Sequence, residues 1–200
     1  MFYSKEIGLL LLFCHFLASI TVGILFRNYK KDKDYYYKNN KSINNNSKNI
    51  SFSNLGKIIS ESIKISINLI LSIGGYIVLF SVIISILNES QIFSTISNIT
   101  NYFGIPENIT KALLSGILEV TNGLKISSSL QTKSLATNIV LSSFLLGFGG
   151  ISIMFQVYSV ISKQNLSIKP YIYGKLLQAV LSALYIYFLL QAFPFLTYSL

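Results

Sequence analysis

Ile65 to Leu87 is a run of 23 residues without a charged side chain, and it limits the fold more than any other stretch. A helix rises about 1.5 Å per residue, so the run reaches across a hydrocarbon core of about 30 Å. Lipid offers no hydrogen bonds, and a helix satisfies its own backbone. Ile7 to Phe26 is a second apolar run of about 20 residues. With 52% hydrophobic and 12% charged residues and a mean hydropathy of +0.56, the chain has no soluble-domain composition. The expected fold is all-α, with polytopic transmembrane helices.

The charges orient it. The formal net charge is +9, but nine of the sixteen basic residues lie between Arg27 and Lys64, beside an apolar helix. That clustering fits a cytoplasmic loop under the positive-inside rule, touching anionic headgroups, rather than a nucleic-acid surface. Ile7 to Phe26 could be a signal peptide. It has no A-x-A-like cleavage site, however, and Arg27, Lys30, Lys31 and Lys33 follow at once, which favours a retained helix with its N-terminus outside. Residues 1–26 are thus read as a transmembrane helix, 27–56 as a basic disordered loop and 57–200 as a transmembrane domain. Lys57 to Lys64 is amphipathic and is expected to lie along the inner surface before the chain turns into the bilayer. Lys163, Lys169 and Lys175 return to the cytoplasm only if the segment between the second and third spans does not cross, which leaves the C-terminus outside. Single-cysteine labelling at Ser42 and Ser199, in a Cys14→Ser background, checks this. Ser199 should react from outside intact cells, and reaction of Ser42 there would contradict the topology.

Two later segments are short or broken. Gln91 to Phe103 reads as an outer interfacial helix ended by Gly104, and Pro106 with Glu107 as a new helix start. Asn108 to Gly123 is too short and polar for a span, and with the polar residues that follow it fits a re-entrant hairpin over about 107–134. Leu135 to Ile161 is long enough to cross, but Gly147-Phe148-Gly149-Gly150 divides it and predicts an unwound centre. Helix propensity alone predicts a gain of about 1 kcal/mol for alanine at each of Gly149 and Gly150. A final span covers about Ile172 to Phe193. Gly74-Gly75 in the Ile65–Leu87 run predicts close approach of a neighbouring helix.

Glu119 is the candidate functional residue, since a carboxylate among Ile117, Leu118 and Val120 costs several kcal/mol in lipid unless it meets protein, water or a partner. In a continuous helix, Lys111, Ser115, Glu119 and Asn122 would share one face, with Ala112, Gly116 and Gly123 as a packing stripe beside them. Ser134, Asn138 and Ser142 form another polar row, Ser152, Gln156 and Ser159 a third, and Lys175, Gln178, Ser182 and Tyr185 a fourth. Most such hydroxyls and amides serve as interhelical glue worth about 0.6 to 2 kcal/mol. A charged group and an unwound backbone in adjacent short elements are what a midplane site requires. The expected substrate- or ion-binding set is therefore Glu119, Thr121, Asn122, Gly149, Gly150, Ser152 and Gln156. The competing reading pairs Glu119 with Lys111 or Lys125.

No phosphate loop, H-E-x-x-H, serine elbow or metal-spaced Cys/His set is present in the sequence. An enzyme, a cofactor or a metal is therefore not expected. Cys14 and His15 read as packing residues of an apolar helix.

The residues G-I-L-E-V-T-N-G (Gly116 to Gly123), G-F-G-G-I-S-I-M-F-Q-V (Gly147 to Val157) and K-P-Y-I-Y-G-K-L-L-Q-A-V-L-S-A (Lys169 to Ala183) resemble the YlbJ family of sporulation integral membrane proteins. That family is similar in turn to nucleoside-transporter-like gate-domain proteins. The resemblance implies the C-terminal half of a carrier with two gate repeats, Met1 at an internal or truncated start, and the missing N-terminal repeat or another copy as partner. It further implies a multi-pass protein of the mother-cell-derived outer forespore membrane, passing a small anionic metabolite, with dipicolinate the leading candidate. The alternative role is a membrane scaffold or assembly factor for the spore envelope or cortex. In related nucleoside carriers the second hairpin has a P-E-S-type tip and the next broken helix a G-F-A-N-like unwinding. Leu118 to Thr121 and Gly147 to Ser152 occupy analogous places, but the hairpin lacks the proline, so nucleoside specificity is not carried over.

Overall fold

The structure, a computed structural model, describes residues 5–29, 52–130, 135–162 and 166–193. These residues form eight α-helices and no strand. They are α1 (Lys5–Phe26), α2 (Phe52–Glu89), α3 (Ile92–Tyr102), α4 (Glu107–Leu118), α5 (Val120–Ser129), α6 (Leu135–Phe148), α7 (Gly150–Ile161) and α8 (Lys169–Ala192). Four helical stretches are long and apolar enough to cross a membrane: Lys5–Phe26, Leu55–Glu89, Leu135–Ile161 and Lys169–Ala192. The expected all-α polytopic fold is therefore present. Most of the basic loop, together with Ser134, Lys163 and residues 194–200, lies outside the described residues.

The second span departs from expectation. α2 is one continuous helix of 38 residues, so the amphipathic Lys57–Lys64 segment runs straight into the apolar run without a turn, and Phe52 to Gly56 is helical rather than loop. Propagating a helix is far cheaper than nucleating one, so weak helix formers beside a strong helix are absorbed into it. At about 57 Å, α2 is nearly twice as long as the hydrocarbon core is thick. A methyl group added at Gly74 or Gly75 meets nothing within 4 Å, so this pair approaches no neighbour among the described residues.

α1, α6 and α8 enclose the main core, with Ile7, Leu11 and Cys14 packed against Ile139, Ile186 and Leu190. Polar pairs tie these helices together: Ser143 with Ser182 at 2.8 Å and Thr21 with Tyr185 at 3.0 Å. Gly147 lets α6 and α8 nearly touch, since a methyl group there would lie 2.6 Å from the Ala179 Cα. The outward faces of α1 and α2 carry exposed Leu9, Phe13, Phe16, Ile70 and Leu71, as a lipid-facing surface would.

α4 and α5 fold back on each other. A methyl group on Gly123 would overlap Gly116, so the expected stripe of small residues is the seam of this hairpin. With 12 and 10 residues, the two helices are only about 18 and 15 Å long, each too short to cross. The hairpin packs against α6, with the Ser127 hydroxyl donating to the Asn138 carbonyl at 3.1 Å and pairing with Ser142 at 3.0 Å.

Candidate functional site

The hairpin turns at Glu119. The residue is extended, with φ −144° and ψ 118°, and its carboxylate accepts hydrogen bonds from the Thr121 amide (3.1 Å), the Asn122 amide (2.8 Å) and the Thr121 hydroxyl. Glu119 is thus the N-cap of α5. A helix N-terminus carries unsatisfied N–H groups and a partial positive charge, so it replaces part of the hydration a buried carboxylate loses. The backbone on both sides is also satisfied, since the Glu119 amide donates to the Ser115 carbonyl and the Gly123 amide to the Glu119 carbonyl. Only 2% of Glu119 is exposed.

This cap corrects the single-face reading of Lys111, Ser115, Glu119 and Asn122. The helix breaks after Leu118, so Asn122 belongs to a different helix, where its side-chain amide donates to Ser81 of α2 at 2.9 Å. Neither lysine considered as a partner neutralises Glu119. Lys111 pairs with Glu107 at 2.6 Å, and Lys125 is exposed.

The second break lies between α6 and α7. Gly149 and Gly150 have φ of +83° and +84°, a region L-residues with a Cβ rarely adopt. The two breaks meet: a methyl group on Gly150 would lie 3.1 Å from the Val120 amide nitrogen and 3.2 Å from the Gly116 carbonyl oxygen. The positive angles reverse the expectation from helix propensity, because alanine at either glycine has no relaxed helix to enter. Across Gly149, Lys175 of α8 comes near, its Cε 3.4 Å from where a Cβ would stand.

Thus the structure brings Glu119, Thr121 and Asn122 together at the start of α5 and sets them beside Gly149 and Gly150. Ser152 is buried on α7 and accepts from the Gln156 amide at 3.3 Å. Gln156 also lines a groove of about 310 Å³ with Leu69, Ser72 and Ile73 of α2. A second polar group was only partly read from the sequence, which gave the Lys175–Gln178 row but not its partner His15. Lys175 donates to Gln178 Oε1 at 3.1 Å, and Gln178 lies 3.4 Å from His15 Nε2, joining α8 to α1 at the level of the break. The three-residue spacing of Lys175 and Gln178 was the available signal, but nothing in the sequence placed His15 opposite them.

The chain is similar to the sporulation integral membrane protein YlbJ of Bacillus subtilis (strain 168), with 30% identity over an alignment covering 92% of the chain. It spans about half the length of that curated relative, 49%. The resemblance carried by the three motifs is thus borne out, and its extent fits a half-length correspondence. No family model and no solved structure matches the chain.

Proposed function

With a half-length likeness to a sporulation integral membrane protein as the premise, we propose that this chain serves secondary transport of a small anionic metabolite during endospore formation. Dipicolinate is the leading candidate. The observation that carries this reading is the meeting of the two interrupted helices, with the Glu119 cap on one side and Gly149-Gly150 on the other. A break of this kind, left without a side-chain cap at the start of α7, supplies backbone groups for a ligand where an unbroken helix supplies none. α4 and α5 then form a re-entrant hairpin of gate type, and Glu119 binds a coupling proton or cation or orients donors, since a carboxylate repels an anionic substrate directly. The Asn122–Ser81 bond couples the hairpin to the long helix α2. A second half, from the N-terminal repeat or another copy, would complete the carrier.

Loss of the gene in its sporulating host tests the proposal. Spores should contain far less dipicolinate while the mother cell retains it, and re-expression should restore the spore content. Spores with normal dipicolinate but a defective envelope would instead support the scaffold role.

A further inference from the structure

Lys175 is a cation inside a candidate span, and its charge is not neutralised within the described residues, where the one ion pair is the exposed Lys111–Glu107. The ammonium donates to a single neutral acceptor, Gln178 Oε1. That bond orients the Gln178 amide, so its nitrogen faces His15 Nε2 at 3.4 Å and donates to it. A His15 ring that accepts at Nε2 and is neutral carries its hydrogen at Nδ1. Nδ1 is buried and has no partner among the described residues. The chain Lys175–Gln178–His15 therefore ends in unmet donors at both ends and contains no acid.

The position of the chain gives these donors a purpose. Lys175 Nζ stands 3.7 Å from the Cβ position of Gly149, the residue that precedes α7. The two interrupted helices differ here in one respect. The N-terminus of α5 is closed by the Glu119 carboxylate, whereas α7 begins at a glycine with no side-chain cap and a lysine beside it. Unmet ammonium and imidazole donors in an apolar helix pair call for an acceptor that the described residues do not supply.

We infer that Lys175, oriented by Gln178 and His15 beside the Gly149 break, binds the carboxylate of a small organic anion. Lys175 makes the charge-assisted contact, and Gln178 with His15 are positioning residues. This deepens the transport reading by assigning the substrate's anionic group to α8 and leaving Glu119 out of its path.

The experiment uses the purified chain in phosphatidylcholine nanodiscs, with binding of dipicolinate, citrate and inorganic phosphate measured by equilibrium dialysis. A bound carboxylate should lose about 10- to 100-fold in affinity in Lys175→Met, as removal of one charge-assisted hydrogen bond does, and retain most of it in Lys175→Arg. Dipicolinate should also slow modification of Lys175 in the unaltered chain by an amine-reactive reagent, read by peptide mass spectrometry, which requires no variant to fold. Binding unchanged in Lys175→Met, no protection of Lys175, or no binding of either carboxylate would overturn the assignment. Tighter binding of phosphate than of both carboxylates would overturn the ligand class. Lys175-dependent binding without uptake into vesicles would remove the transport reading and leave this site standing. Uptake that ignores Lys175→Met would do the reverse.

Discussion

Gly150→Ala should destabilise the fold by about 2 to 6 kcal/mol. Two effects add. A Cβ at φ +84° costs about 1 to 3 kcal/mol in backbone strain. The same carbon would press on backbone atoms of the other break, 3.1 Å from Val120 N and 3.2 Å from Gly116 O, and overpacking of this kind costs about 1 to 3 kcal/mol. Backbone cannot swing aside as a side-chain tip can. Gly75→Ala is the control, because it sits in a regular helix with open space around it and should be neutral or gain up to about 1 kcal/mol. Reversible unfolding of the purified protein in mixed micelles, followed by circular dichroism, measures both. Equal stability of the two variants would mean that the breaks do not touch.

Glu119 should separate charge from shape. In Glu119→Ala the Thr121 and Asn122 amides lose their acceptor, and a lost N-cap costs about 0.5 to 2 kcal/mol, with about 1 to 3 kcal/mol for each donor left buried and unpaired. Insertion and folding should suffer visibly. Glu119→Gln keeps one carbonyl oxygen, for the Asn122 amide and Thr121 hydroxyl, but turns the other acceptor into an NH2 group facing the Thr121 amide. It therefore loses one cap hydrogen bond, about 1 to 3 kcal/mol, besides the attraction of a full negative charge to the helix end, about 0.3 to 2 kcal/mol. That variant should insert and fold better than Glu119→Ala and still fail in transport. The contrast matters because Glu119 is both a structural cap and the candidate coupling group, and glutamine removes the charge while keeping part of the cap.

The spans were legible because length and apolarity act locally, and so was the Gly149-Gly150 break, since three glycines in four residues have few other uses. The Glu119 turn was half legible. Four-residue spacing suggested one polar face, whereas the decisive interaction is between the carboxylate and amides two and three residues later, a local competition that periodicity does not register. Ala112, Gly116 and Gly123 were recognised as a packing stripe, yet the sequence could not say that the stripe packs on itself across the turn. The α2 helix was underestimated because Gly56 and the lysines looked like a boundary, and helix propagation overrode them. The row of Lys175 and Gln178 was read, but its link to His15 was invisible for a different reason. His15 and Gln178 are 163 positions apart and meet only because α1 packs against α8.

Uptake of radiolabelled dipicolinate into proteoliposomes holding the chain assembled with its second half, compared between the unaltered chain and Glu119→Gln at matched insertion, tests the central claim most directly. The account predicts saturable uptake by the unaltered protein and none above protein-free vesicles by Glu119→Gln. Equal uptake by the two, with the same response to an imposed pH gradient, would contradict it and leave Glu119 as a helix cap alone.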